Sequence, residues 1–311
     1  GGGGFGLIVA EAALAYGGGL GIHCGGVHAA GSYSLFSFGE VIPTGHFAFL
    51  YSSGTGAGSV YDGILFAWER HYARMKHDAE LMRVPFPADP KWLEERLYRL
   101  IAANDAKNAT LRVNVVRNHG GLFQGHRETP EFDVVAFTAN VYAWGESVRL
   151  GVVPHGRHAG NEFAGVKNTS WAQNLTWYER CHEQGWDEVV LLNERGEVAE
   201  CTSANIFVAQ GGKVYTPPLA SGCLPGGTRA VLIEEIRPAS GVRVVEKALL
   251  PADLEAADEV FITSTTRELL PVVKIDGLKV KGGRTVCDAL VSELKQYVGA
   301  YLASKKGTVP V

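Results

Sequence analysis

Short apolar runs alternate with amphipathic segments from residue 60 onward. The first such feature is a hairpin, because Asp62-Gly63 is a favoured two-residue turn and apolar pairs flank it. The spacing of apolar residues predicts helices over 69–82, 90–103, 169–184, 228–236 and 285–302. Strands are predicted over 111–116, 133–138, 147–153, 188–192, 198–200, 205–208, 213–216, 242–246 and 259–263. This arrangement predicts an α+β fold.

The length of 311 residues allows two domains. We predict a small N-terminal domain over 1–145, an interdomain or active-site loop over 146–165, and a larger domain over 166–311. Residues 1–60 differ in composition, since they hold 17 of the 39 glycines and no Lys or Arg. We therefore regard residues 1–60 as unreliable for prediction and assign elements only from residue 60 onward.

Composition excludes several classes of protein. With 46% hydrophobic and 20% charged residues, the chain is neither disordered nor fibrous. A net charge of −4 and the lack of a Lys/Arg run argue against a nucleic-acid partner. The most apolar early stretch, 6–22, is interrupted by Glu11, so we expect no membrane span. The five cysteines form no C-x-x-C pair, which predicts reduced thiols, no metal site and a cytoplasmic location.

Lys167 and Glu200 are the first two candidates for chemistry. Lys167 ends a loop rich in Gly, His and Pro, just before a predicted helix. It is either a solvated lysine or an amine whose pKa is lowered by partial desolvation, which could form a Schiff base. Glu200 ends a predicted strand among small polar residues. It is either a turn residue or a buried carboxylate that holds a cationic ring nitrogen.

Two further clusters could bind an anion. Gly226-Gly227-Thr228 begins a predicted helix. Backbone N–H groups, the Thr228 hydroxyl and the helix dipole would favour an anion there, although simple helix capping uses the same residues. The four hydroxyls of 263–266 follow a buried strand and suit either phosphate oxygens or a turn.

Together, the order and spacing of these four clusters resemble the class IV (fold-type IV) aminotransferase family. The resemblance covers about residues 60–280, and its most specific parts are 200–205 and 216–229. It implies an α+β, fold-type IV enzyme with a small α/β N-terminal domain, a larger C-terminal domain and pyridoxal 5′-phosphate (PLP) between them. It also implies a homodimer, an amino donor and a 2-oxo acid as substrates.

The resemblance also implies roles for single residues. Lys167 matches the lysine that forms a Schiff base with PLP and then moves a proton, and Glu200 matches the acid on the pyridine nitrogen. The other residues implied to bind the cofactor are Arg74, Ser203, Gly227, Thr228 and Thr265. Arg117 lies where some members place an arginine near the substrate, and Arg157 is a further substrate candidate.

The subfamily stays open because the motifs conflict. Branched-chain enzymes carry Gly-Asn-Tyr after the lysine, whereas this chain has 168–171 as Asn-Thr-Ser-Trp, which resembles the amine transaminases. The run 117–121 resembles the lyase branch, and 52–59 offers few side chains for a substrate pocket. We predict a transaminase that acts on an amino acid, such as a branched-chain one, or on an amine. The alternatives are an aminodeoxychorismate lyase, which releases pyruvate, and a non-catalytic PLP-binding protein, against which the intact lysine and acid argue.

Overall fold

A computed structural model describes residues 7–11, 28–29, 33–38, 51–117, 132–236 and 241–307 of the chain. The chain divides into two compact units. The first is drawn from Gly1–Tyr142, Lys167–Thr169 and Leu302–Val311, and the second from Ala143–Val166 and Ser170–Tyr301. The domain limits proposed from the sequence stay a prediction.

The first unit contains one seven-stranded sheet and two helices. Its strands are β1 (Leu7–Glu11), β2 (His28–Ala29), β3 (Tyr33–Phe38), β4 (Tyr51–Tyr61), β5 (Ile64–Leu65), β6 (Ala109–Arg117) and β7 (Phe132–Asn140). Their order in the sheet is β2-β3-β1-β7-β6-β4-β5. Only β1 and β7 pair in parallel, and the other neighbours are antiparallel. The predicted hairpin is confirmed, because Tyr61 pairs with Ile64 across the Asp62-Gly63 turn.

The helices of this unit are α1 (Trp68–Leu81) and α2 (Pro90–Ala103). The structure confirms the predicted bounds of α2. Its start follows from local chemistry, since the Asp89 carboxylate accepts the backbone N–H of Lys91 at 2.9 Å and proline occupies the first helical position. Both helices pack on the sheet through a core that includes Met75, Leu93, Leu97, Leu111 and Val134.

The second unit contains an eight-stranded sheet with helices. Its strands are β8 (Val148–Val153), β9 (Glu188–Leu192), β10 (Val198–Cys201), β11 (Asn205–Gln210), β12 (Lys213–Thr216), β13 (Val244–Glu246), β14 (Glu259–Ser264) and β15 (Glu268–Ile275). Their order is β10-β9-β8-β15-β14-β11-β12-β13. The parallel pairs are β8–β9, β8–β15 and β12–β13, and the other neighbouring pairs are antiparallel.

Four further helices accompany the second sheet. They are α3 (Ala172–Glu183), α4 (Gly227–Glu234), α5 (Pro251–Ala256) and α6 (Thr285–Lys305), whose last residues belong to the first unit. The stacked rings of Phe207 and Phe261, 5.3 Å apart, centre a core that also contains Leu232 of α4 and Leu290 of α6. This core supports the strand ends and the start of α4, where most of the candidate residues of this unit lie.

Strands β1, β2 and β3 and most of β4 lie before residue 60, where the sequence analysis assigned no elements. From residue 60 onward, three elements differ from the sequence prediction in their start or were missed. Helix α3 begins at Ala172, three residues later than predicted, and Lys167 lies before it in a segment that is neither helix nor strand. The sequence prediction missed α5 and β15. In β15, Pro271 interrupts an apolar run, and such a proline argues against a strand. The strand pairs with β14 up to Pro271 and with β8 from Val272, so the proline lies where the partner changes.

Among the described residues, no helix combines the length and apolar character that crossing a membrane requires.

Candidate active site

Lys167 lies beside helix α1 within the first unit. Its backbone N–H donates to Oδ2 of Asp78 at 3.3 Å. The same oxygen accepts Nη1 of Arg74 at 2.7 Å, and the side chains of Arg74 and Asp78 are only 9% and 2% exposed. The fold therefore brings two residues predicted for cofactor binding, Arg74 and Lys167, onto one buried carboxylate.

A buried histidine lies on the same face of α1. His71 precedes Arg74 by one helical turn and is 6% exposed. Burial is the largest of the causes that lower the pKa of His71 to about 3, and the positive charges of Arg74 and Lys167 supply the rest. Near neutral pH, His71 is thus an uncharged neighbour of two cations, and Asp78 is the carboxylate that faces them.

Glu200 is held by two donors within the second unit. It is the buried next-to-last residue of β10, where Oε1 accepts a hydrogen bond from Nε of Arg157 at 2.9 Å and Oε2 accepts one from the backbone N–H of Leu224 at 3.0 Å. Arg157 is itself fixed, because its Nη1 donates to Oδ1 of Asn174 at 3.0 Å. Each carboxylate oxygen can accept more than one hydrogen bond, so Glu200 keeps acceptor capacity for a protonated ring nitrogen. Arg157, predicted as a substrate residue, contacts this acid.

Ser203 belongs to a buried ionic network. Its hydroxyl donates to Oε2 of Glu188 at 2.6 Å and accepts Nη1 of Arg267 at 2.8 Å. Arg267 also pairs with Glu188 at 3.0 Å, and its guanidinium lies 4.0 Å from the centre of the Trp144 ring. The network fixes the turn between β10 and β11, which follows Glu200 directly.

The start of α4 is shaped for close approach to its backbone. Gly226 precedes the helix and supplies no side-chain cap, so the first-turn N–H groups of Gly227 and Thr228 have no capping side chain. A Cβ at Gly226 would lie 2.2 Å from Oδ1 of Asn205, whose Nδ2 holds the carbonyl of Leu224 at 2.9 Å. Thr228 is buried. Helix N–H groups at a start without a capping side chain are of the type that bind phosphate.

The loop before Lys167 packs against the loop before α4. Gly165 has a φ of +77°, and a Cβ there would lie 2.7 Å from the backbone oxygen of Cys223. Both features require glycine. Because Leu224 also donates to Glu200, the segment 222–226 contacts both the acid and the loop that leads to the lysine.

The remaining predicted residues lie farther along the chain. Thr265 is half-buried in the turn between β14 and β15, where Ser264 Oγ accepts the backbone N–H of Arg267 at 3.2 Å. Arg117 is the half-buried last residue of β6. The residues that follow it in the lyase-like run, 118–121, lie outside the described residues.

Sequence reasoning missed Asp78 and His71. A signal was present, because a helical projection places both on the apolar stripe of α1 with Met75 and Ala79. An acid in such a stripe is unusual unless it is paired. No group of three His, Cys, Asp or Glu residues that could hold a metal ion occurs in the described part of the chain.

Comparison with known families identifies this arrangement. The sequence model described as amino-transferase class IV matches residues 57–275. The chain belongs to the class IV aminotransferases. Members of this family use PLP, so the cofactor expectation is confirmed. As a class IV aminotransferase, the chain is an enzyme of the α+β, fold-type IV class.

Its relatives within the class IV aminotransferases differ in substrate. The branched-chain-amino-acid aminotransferase of Salmonella typhimurium is 28% identical over 243 residues, which cover 75% of this chain and 77% of that protein. The D-alanine aminotransferase of Bacillus licheniformis is 29% identical over 227 residues, covering 72% and 79%. The solved branched-chain amino acid aminotransferase of Escherichia coli superposes with a TM-score of 0.72 at 25% identity, over 80% of this chain and 86% of that one.

The residues present fit PLP. PLP carries an aldehyde, a pyridinium nitrogen and a phosphate. The chain has a matching group for each: the amine of Lys167, the buried carboxylate of Glu200 with its spare acceptor capacity, and the helix start at Gly227 without a capping side chain. Arg74 adds a guanidinium, which suits phosphate oxygens through several N–H donors.

Proposed function

We propose that this class IV aminotransferase moves an amino group from an amino acid, with branched-chain amino acids as the leading donors, to a 2-oxo acid. The observation that carries the proposal is Glu200, a buried carboxylate fixed by Arg157 and by the backbone of Leu224. A transaminase needs an acid held in this way, because charge develops on the cofactor ring during proton removal. The named relatives support an amino-acid donor, and they include enzymes for branched-chain substrates.

Each residue has a proposed task in the reaction. Bound PLP supplies an electron-accepting ring that stabilises negative charge at the substrate Cα. With the cofactor bound, Lys167 would hold it through Nζ, and the same amine would take up the proton from the substrate Cα and pass it on to the cofactor. Glu200 holds a proton on the ring nitrogen. Arg74, Gly227, Thr228 and Thr265 bind the phosphate.

Ser203, Arg157 and Arg117 have proposed supporting tasks. Ser203 contacts Glu188 and Arg267 in the turn after β10, and its proposed task is to support cofactor binding from this turn. Arg157 orients Glu200 and remains a candidate for substrate contact. Arg117, at the end of β6, is proposed to lie near the substrate carboxylate.

We also propose that the chain works as a homodimer in the cytoplasm. The family resemblance supports the dimer. The four cysteines that the described residues contain are free and buried, which agrees with a reducing compartment. Sedimentation equilibrium would test the dimer, and a mass of 33.4 kDa would contradict it.

Single-turnover transamination tests the activity. The PLP-loaded protein is mixed with one amino donor at a time, and we expect leucine, isoleucine or valine to convert the cofactor to its amino form and release the matching 2-oxo acid. Lys167→Ala should lower this rate by at least about 10³-fold, since the proton-moving amine is lost.

Two results would contradict the proposed reaction. If no donor, including D-alanine and simple amines, converted the cofactor while aminodeoxychorismate released pyruvate, the lyase would replace the transaminase. A protein that bound PLP but showed neither reaction would instead be a non-catalytic member.

A further inference from the structure

Asp78 is a buried acid that has no role in the proposed reaction as described above. It lies on α1, and its side chain is 2% exposed. One oxygen, Oδ2, accepts both Nη1 of Arg74 at 2.7 Å and the backbone N–H of Lys167 at 3.3 Å. A single atom therefore connects the arginine of the proposed phosphate site with the backbone of the proposed catalytic lysine.

A comparison within the same helix shows that this pair is not an ordinary surface ion pair. Lys76 and Glu80 have the same i,i+4 spacing, yet they are 3.9 Å apart with side chains 52% and 64% exposed. Buried ion pairs such as Arg74–Asp78 contribute little net stability, because desolvation offsets the attraction. Consistent with that cost, burial raises the pKa of Asp78 despite the neighbouring positive charge of Arg74. The pair fixes geometry rather than adding stability.

We propose that Asp78 is a positioning residue that couples the grip of Arg74 on the cofactor phosphate to the placement of Lys167. A guanidinium has five N–H donors in a rigid plane, so a hydrogen bond to Asp78 through Nη1 sets the direction of the others. Since the same carboxylate oxygen holds Lys167, a shift of Arg74 also shifts the lysine backbone. This inference rests on the proposed function, because it takes Arg74 and Lys167 as ligands of PLP.

A double-mutant cycle on PLP affinity tests the coupling. Apo protein of the wild type, Asp78→Ala, Arg74→Ala and the double variant is titrated with PLP, and binding is followed by absorbance. We expect Asp78→Ala to raise the Kd about tenfold in the wild-type background and less than about twofold when Arg74 is already alanine. Asp78→Asn keeps one acceptor oxygen and should recover part of the affinity.

Pyridoxal, which lacks the phosphate, separates positioning from a general structural effect. If Asp78 acts through Arg74, Asp78→Ala should change the affinity for pyridoxal much less than that for PLP. Glu80→Ala, an exposed acid on the same helix, is the matched control and should change neither affinity. Should Asp78→Ala not fold, as judged by circular dichroism, the cycle is run with Asp78→Asn.

The outcomes distinguish this inference from the function on which it rests. A wild-type protein that fails to bind PLP overturns the proposed function and this inference with it. Wild-type binding together with an Asp78→Ala variant of unchanged affinity overturns this inference alone. Equal losses in both Arg74 backgrounds, or equal losses for PLP and pyridoxal, also overturn it, because Asp78 would then act without coupling to Arg74.

Discussion

Buried ion pairs organise the candidate residues. Glu200 depends on Arg157, just as Arg74 depends on Asp78. A buried carboxylate that loses its partner is costly, because the remaining charge is neither solvated nor compensated. The proposed reaction is therefore sensitive to residues that touch neither PLP nor substrate.

Arg157 is the residue at which this sensitivity is most easily measured. We expect Arg157→Met to lower kcat/KM about 10- to 100-fold, because the buried Glu200 carboxylate loses the guanidinium that pairs with it and orients it toward the ring nitrogen. Arg157→Lys keeps the positive charge without the planar guanidinium, so we expect a smaller decrease in kcat/KM for this variant. If both variants kept wild-type kcat/KM and pH profile, Arg157 would have no influence on Glu200.

His71 gives a pH-dependent prediction. The folded protein holds its pKa near 3, below the ordinary value of 6.5, so the unfolded chain binds a proton first as pH falls. Stability from this residue is complete above pH 6.5 and declines toward pH 3, with a slope of at most about 1.4 kcal/mol per pH unit. In His71→Asn, we expect Tm to fall less steeply between pH 6.5 and 4. Parallel Tm curves for the two proteins would contradict the buried, neutral histidine.

At the level of elements, loops position the site more than helices do. Gly165 and Gly226 allow two loops to approach other chain segments more closely than a Cβ permits. The sequence shows these glycines without revealing which of them are in close contact, because that depends on neighbours such as Cys223 and Asn205. For α2, local patterns alone are sufficient to predict the bounds of the helix, because its N-cap residue, its first-turn proline and the spacing of its apolar residues all indicate the same helix.

A pair of glycine substitutions separates backbone strain from close contact. Gly165 and Gly185 both have positive φ values, +77° and +82°, but only Gly165 has an atom near its missing Cβ. We expect Gly185→Ala to cost about 1 kcal/mol from strain alone, and Gly165→Ala to cost at least about 2 kcal/mol more. Urea denaturation measures both free energies of unfolding. If both substitutions lowered the free energy of unfolding by the same amount, the contact with Cys223 would have no energetic cost.

Across the whole molecule, the sequence predicts the family and most elements but not their pairing. The pairing of β15 with β8 joins residues more than 100 positions apart, which no local pattern contains. The same limit explains why Lys167 and Glu200 were found from sequence while Asp78 was not. The first two lie in motifs specific to the family, whereas the role of Asp78 depends on a chain segment 89 residues away.

The proposed reaction depends on Lys167 as the residue that binds PLP covalently. Reduction of the PLP-loaded protein with borohydride makes that bond permanent, and peptide mass spectrometry then locates it. We expect one phosphopyridoxyl group per chain, on the peptide containing Lys167, and none in Lys167→Ala at that position. A label on another lysine, or no label in protein that has been saturated with PLP, would contradict the central claim.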